Sequence, residues 1–380
     1  MSMVRDHRKQ EPVSAAANFT AHKHRILVLQ GGGALGAYQA GVYEGLDAAV
    51  FAPKWVAGVS IGAINSALIA GNPPKRRIER LREFWTRVSA QSPVVLPAGM
   101  DLMRPWMNRM SAASAMVFGI PGFYQPRPVP PYLALEGSMA ALSFYDTEPL
   151  RATLDELVDF DLVNDGAIRL SLGAVNVRTG ESVYFDSKAD TITASHVMAS
   201  GALPPGFPPV EIDGEYYWDG GIFSNTPLQY VLHDPSLDAL IVQVDLFSSK
   251  GELPQNLDQV QERAKDLQYQ SKLLVSHARI RELEALRSAL AHVVAKLPRA
   301  MQSDPEVQKL TAVSRRGPLS LVHLINRHDT KSSDFKDFEF SRATVEDLWQ
   351  AGHDDVRMAL MHPERAKVTD FGNDVRAYEL

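Results

Sequence analysis

The hydrophobic pattern opens at Ile26-Leu27-Val28-Leu29, an unbroken aliphatic run of the length of a short strand buried on both faces. It ends in Gly31-Gly32-Gly33 and passes into a segment with Leu35, Tyr38, Val42 and Leu46 at helical spacing. A second run, Trp55-Val56-Ala57, meets Gly58 and leads into a small-residue helix from Ile61 to about Ala70. Strand, glycine turn and helix, repeated twice, predict an α/β domain on a mainly parallel sheet. Lys75 to Val88 reads as an amphipathic helix.

Alternation returns at Ile168–Leu172 and Ser182–Phe185, two paired strands around Arg178-Thr179-Gly180. His196–Ser200 predicts a short helix, Leu203–Pro209 a loop, and Ile212–Trp218 a hairpin leading into Asp219-Gly220-Gly221. Ala239–Val244 is a further buried strand. Leu257–Leu297 contains no Pro or Gly and is apolar at three- and four-residue steps, so one long helix or a helical hairpin is expected. Its mixed charge suits packing on its own protein or on a second copy in a homo-oligomer. Leu319–Ile325 predicts a strand and Ser341–Met361 a helix with Ser341 as N-cap.

Composition narrows the class. The 380 residues are 45% hydrophobic and 22% charged, enough for a large core. A net charge of -6 lacks the basic face that nucleic acid demands. With no cysteine, disulfides, thiolate metal sites and thiol nucleophiles are excluded. Residues 1–24 are polar and read as a flexible tail without the apolar core of a signal peptide. No apolar stretch approaches the roughly 20 residues of a membrane-spanning helix, so a cytoplasmic protein, at most peripheral to a membrane, is expected. No cation loop of the EF-hand type occurs, and neither metal nor cofactor is expected.

Three glycine-bearing turns carry the chemistry. Gly58-Val59-Ser60-Ile61-Gly62 stands between a strand and a helix, the setting of a nucleophilic serine with glycines where side chains would clash. Gly31-Gly32-Gly33-Ala34-Leu35-Gly36 converges backbone N–H groups at a helix start. It also fits a dinucleotide fingerprint, yet the second strand ends in Gly58-Val59-Ser60 rather than in an acidic residue for a ribose. No Gly-Lys-Ser/Thr follows, which excludes a P-loop. An oxyanion hole from Gly31, Gly32, Gly33 and Ala34 is the better reading. The third turn, Asp219-Gly220-Gly221, offers a carboxylate base for the serine. A triad would instead need a histidine. His196 and His233 fall in the catalytic region, and neither stands in a recognisable loop motif.

These blocks, in this order, resemble the patatin-like phospholipase family over roughly Arg25 to Tyr230. Ala199-Ser200-Gly201-Ala202-Leu203-Pro204-Pro205-Gly206-Phe207-Pro208-Pro209 and Asn225-Thr226-Pro227 are similar to further family patterns. The resemblance implies a three-layer α/β/α sandwich, a Ser60–Asp219 dyad and hydrolysis of lipid acyl esters. The chain departs from the pattern at Leu35, where many members carry Arg or Lys, and at Val59 and Ile61 beside the serine. Residues 25–230 are expected to form the catalytic domain. Residues 231–380 look similar to the largely helical C-terminal extension of a bacterial subgroup.

The stretch 92–137 is rich in Pro and Met (Met100, Met103, Met107, Met110, Met116). It is either a pliable lid over an acyl-chain site or an insertion packed on the domain. Competing functional readings are a catalytically idle lipid-binding or scaffold protein, and an esterase or depolymerase acting on other acyl esters.

Overall fold

The two aliphatic runs at the start of the chain lie side by side at the heart of one sheet. β1 (His24–Leu29) and β2 (Trp55–Val59) pair in parallel, Ile26 opposite Trp55. Ile26, Val28, Trp55 and Ala57 face one side, whereas Leu27, Leu29 and Val56 face the other. Both faces are covered, which explains the absence of polar alternation. The computed structural model describes residues 22–89, 104–234, 238–271, 273–314, 317–328, 336–372 and 375–380.

On one flank β2 pairs in parallel with β5 (Arg169–Asn176), which pairs antiparallel with β6 (Ser182–Asp186) and β8 (Glu215–Asp219). β7 (Val210–Ile212) closes that edge against β8. On the other flank β1 pairs in parallel with β9 (Ala239–Asp245), then come β10 (Leu319–Ile325) and β12 (Val375–Glu379). β11 (Lys367–Gly372) runs antiparallel at the far edge. A separate ribbon joins β3 (Gln125–Pro126) to β4 (Tyr145–Asp146). The sheet is mainly parallel, as expected from the alternation of strands and helices.

Helices cover both faces and make the three layers. Gly36–Ala48, Ile61–Ala70, Arg77–Val88 and Arg342–Met361 pack on the larger core, while Leu228–Leu232 and Leu273–Ala295 contribute Leu228, Val231 and Ile280 to the smaller one. The late helix is pinned to the early ones: Trp349 Nε1 donates to Glu44 at 2.6 Å, and the Arg82 guanidinium lies 4.3 Å from the Trp349 ring. Ser341 caps this helix, its hydroxyl accepting the Thr344 N–H.

Of the two expectations for 257–297 the single long helix is excluded: the region divides into helices Leu257–Tyr269 and Leu273–Ala295, because Gln270 adopts an extended conformation and the Ser271 hydroxyl donates to Asp245 at 2.6 Å. The structure departs from the sequence expectation at two places. The terminal hairpin β11–β12 was not anticipated. Strand β1 begins at His24, inside the expected tail, and residues 1–21 of that tail lie outside the described residues.

The first part of 92–137, with Met100 and Met103, also lies outside them. From Arg104 the segment forms a helix, Arg104–Phe118, and then contributes β3 to the β3–β4 ribbon. Phe144 and Tyr145 donate backbone N–H groups to the carbonyls of Pro205 (3.1 Å) and Gly206 (2.9 Å). The ribbon is thereby fastened to the proline loop. Among the described residues no helix is long and apolar enough to cross a membrane.

Candidate active site

Ser60 sits at the junction of β2 and the helix Ile61–Ala70 with φ 56° and ψ -126°. A left-handed φ in a residue with a side chain costs of order 1–3 kcal/mol and persists only where the surroundings enforce it. Here they do. The Ser60 N–H donates to both the carbonyl (3.1 Å) and the hydroxyl (3.2 Å) of Ser200, whose hydroxyl in turn donates to the Gly173 carbonyl at 2.6 Å. Gly58 and Gly62 are required by close approach. A Cβ on Gly58 would collide with the backbone of Gly62, and one on Gly62 would collide with the carbonyls of Leu29 and Gln30. Ile61 packs over Gly36 and lines the cavity beside the serine.

The strand register brings Asp219 to the level of Ser60. Val59 is opposite Gly173 on β5, and Ala174 is opposite Asp219 on β8. Asp219 is 2% exposed. Its Oδ1 accepts the Gly221 N–H at 2.7 Å, and its carboxylate faces the Ser60 hydroxyl, which favours its ionised form. Burial outweighs both contacts and lifts its pKa from 3.8 to about 6. Gly220 and Gly221 fit because a Cβ on the first would strike the Gly173 backbone, and one on the second would crowd Asn225 and Asp219.

The glycine-rich turn lies against the serine, a Cβ on Gly31 falling 3.0 Å from that of Ser60. Its four expected donors are not equivalent. Gly31 N–H donates to the Asn225 carbonyl at 3.1 Å, and Ala34 N–H to the Asp337 carbonyl at 2.9 Å. Both are therefore committed within the protein. Among the described residues the N–H groups of Gly32 and Gly33 have no backbone acceptor, so of the four expected donors these two are open.

Sequence reasoning passed over several groups that shape this turn. Asn225 Nδ2 donates to the Gly31 carbonyl (3.1 Å) and the Tyr269 carbonyl (2.9 Å). Gln30, wholly buried, donates to Thr226 Oγ1 and the Tyr269 carbonyl and accepts the N–H groups of Leu246 and Phe247. Asn225 and Thr226 could have been singled out from the Asn-Thr-Pro block. Tyr269 and Asp337 act through main-chain carbonyls, for which no residue type is diagnostic.

Neither His196 nor His233 lines the cavity at Ser60. Thr193 N–H donates to Nδ1 of His196 at 3.0 Å, and its ring lies edge-on to Phe185, so it caps the helix Ala194–Ser200. His233 is exposed beyond the helix Leu228–Leu232. No cluster of three or more His, Asp or Glu suited to a metal occurs among the described residues.

Above Ser60 lies a cavity of about 80 Å³ walled by Ile64, Phe123, Phe207, Phe247, Phe338 and Phe340. Its walls are apolar, while Ser60, Asp219 and the glycine turn form its polar floor. Tyr269 also borders it; burial, then the nearby Asp219 and Asp337 carboxylates, push its phenol pKa up.

The patatin-like phospholipase family profile matches residues 27–232, more than half the chain. A second profile, described as patatin phospholipase, matches residues 267–370. No curated protein matches the chain. Among solved structures, the crystal structure of VipD from Legionella pneumophila is similar at 18% identity, covering 89% of this chain and 67% of that one with a TM-score of 0.38. The first profile spans the glycine-rich turn, the serine turn and the Asp-Gly-Gly turn: the chain belongs to the patatin-like phospholipase family.

Proposed function

We propose that the protein hydrolyses lipid carboxylic esters with Ser60 as nucleophile, Asp219 as general base and the N–H groups of Gly32 and Gly33 as oxyanion donors. The observation that carries this reading is Ser60, at φ 56°, facing a buried carboxylate whose pKa is raised to about 6. Such a base is largely ionised at neutral pH and still basic enough to take a hydroxyl proton in the transition state.

Asp219 accepts the Ser60 proton as Oγ attacks the ester carbonyl. The developing oxyanion is met by the two glycine N–H groups and by the positive end of the helix Ile61–Ala70. The alcohol departs with the proton held by Asp219. Water, deprotonated by the same carboxylate, then releases the acid and frees Ser60. Gly31 and Ala34 support the turn without touching the oxyanion, since their N–H groups are committed elsewhere.

The apolar walls suit an acyl chain, but about 80 Å³ is well below the roughly 300–1,000 Å³ of ordinary ligand pockets. A long chain must therefore extend out of the cavity mouth or displace aromatic side chains such as Phe338 or Phe340. The exposed side chains of Phe118, Tyr132, Leu133 and Leu135, on the segment that leads into the ribbon fastened to the proline loop, favour peripheral contact with a lipid surface.

A fluorophosphonate probe tests the chemistry. The full-length protein should label, and Ser60→Ala should not. Absence of labelling in the folded wild type would leave an idle lipid-binding protein as the better account. Release assays across phospholipids, glycerides and other acyl esters would then separate a phospholipase from an esterase or depolymerase.

A further inference from the structure

The glycine-rich turn is gripped by the C-terminal half of the chain. Ala34 donates to the Asp337 carbonyl at 2.9 Å, and that carbonyl stands where a Cβ on Gly33 would be. The Asp337 carboxylate accepts two contacts from Lys265 Nζ, at 2.9 and 3.1 Å. Its neighbour Lys336 reaches Asp266 at 2.6 Å and Glu262 at 3.1 Å. Lys265 and Asp266 are adjacent on the helix Leu257–Tyr269, as Lys336 and Asp337 are on the facing strap, so the two ion pairs cross.

Glu262, Lys265, Asp266 and Tyr269 recur at three- and four-residue steps and share one helix face. The end of that face holds the other side of the turn: the Tyr269 carbonyl accepts from Asn225 and Gln30, and Asn225 brackets Gly31 through both its side chain and its carbonyl. One helix thus fixes Gly31 through Asn225 and Ala34 through the strap.

We infer that these crossed ion pairs form a clamp that orients the Gly32 and Gly33 N–H groups, making Lys265, Asp266, Lys336 and Asp337 positioning residues for catalysis. The inference rests on the oxyanion role proposed above. Gly33 has φ 56°, and a glycine left unpinned visits both signs of φ. Donors contribute to transition-state stabilisation only when their direction is set beforehand. Pinning the residues on either side sets it. The crossed order also secures the register, since a slip of the strap by one residue would bring Lys336 towards Lys265 and set like charges together. With each partner only 14–32% exposed, the pairs are shielded more than those of an open surface.

The test uses full-length wild type, Lys265→Glu, Asp337→Lys and the charge-swapped double variant. Asp337→Lys keeps the main-chain carbonyl that Ala34 uses. Two readouts are taken: ester-hydrolysis kinetics, and hydrogen–deuterium exchange in the peptide spanning Gly31–Gly36. Each single variant should exchange about tenfold faster in that peptide and lose about tenfold in kcat, with KM changed less than about twofold. The swap should bring both back to within about threefold of wild type.

Unchanged exchange in the single variants, or a swap no better than either single, overturns the clamp. If the single variants do not fold, the swap decides: a folded, active double variant supports the clamp, and one that fails to fold overturns it. Wild type lacking Ser60-dependent hydrolysis would sink the catalytic reading instead. The exchange readout would still decide whether the turn is clamped.

Discussion

Replacing Asp219 by Asn should stabilise the fold while abolishing turnover. Burial lifts this carboxyl from 3.8 to about 6 against the opposing pull of Ser60 and Gly221. The folded state therefore holds a proton that the unfolded chain has released between those two values. Stability falls as pH rises through that window, and the full cost, about 3 kcal/mol, is present above pH 7. Asn is isosteric with the protonated acid: Oδ1 can still accept the Gly221 N–H, and Nδ2 can donate towards Ser60. Urea unfolding of both proteins at pH 7.5 and pH 4 measures the difference. Asp219→Asn should gain about 2–3 kcal/mol at pH 7.5 and almost nothing at pH 4. Its kcat should drop by about a hundredfold or more. A variant less stable than wild type at pH 7.5, or a gain that does not shrink in acid, would refute the claim that burial of the charge dominates this site.

The same carboxylate sets the acid limb of catalysis: kcat/KM for a soluble ester should decline about tenfold per pH unit below about 6, and a profile flat to pH 5 would contradict the base assignment. Ser200→Ala removes a hydroxyl that both accepts from Ser60 N–H and donates to the Gly173 carbonyl, so a loss of about 1–2 kcal/mol in urea unfolding and a lower kcat are expected. Gly62→Ala drives a methyl into the carbonyls of Leu29 and Gln30 and should cost upwards of about 3 kcal/mol, read from soluble yield and denaturation midpoint. With monomeric p-nitrophenyl esters the small cavity should favour butyrate over palmitate, the preference narrowing or reversing when substrate is presented in micelles; equal rates in both settings would argue against this cavity as the acyl site.

What could be read from the chain was whatever depends on local chemistry. The serine turn was legible because Gly58 and Gly62 are sterically compulsory, and only glycine meets that demand. Asp219 was legible because its paired glycines mark a tight turn, although the reason for the first, Gly220, is clearance past Gly173 on another strand. The division between committed and open N–H groups was not legible, because it depends on the carbonyls of Asn225 and Asp337, and every residue has a carbonyl. The second neighbour of β1 was hidden for a related reason: β9 reads as one more buried strand, and nothing in Ala239–Asp245 names its partner. The antiparallel pair β11–β12 was within reach, since the sequence Gly372-Asn373-Asp374 has turn composition and separates two alternating stretches.

The position of β9 beside β1 has a consequence on the ribosome. His24 pairs with Ala239, and Ile26 with Ile241, so β1 waits for a neighbour more than two hundred residues downstream. At about 5–20 residues per second that wait lasts roughly 10–40 seconds, with an apolar strand edge open to wrong partners. Asp337, whose carbonyl engages Ala34, emerges later still. The nascent chain thus carries Ser60 and Asp219 before the turn beside them is complete, and that turn can close only once Asp337 has emerged.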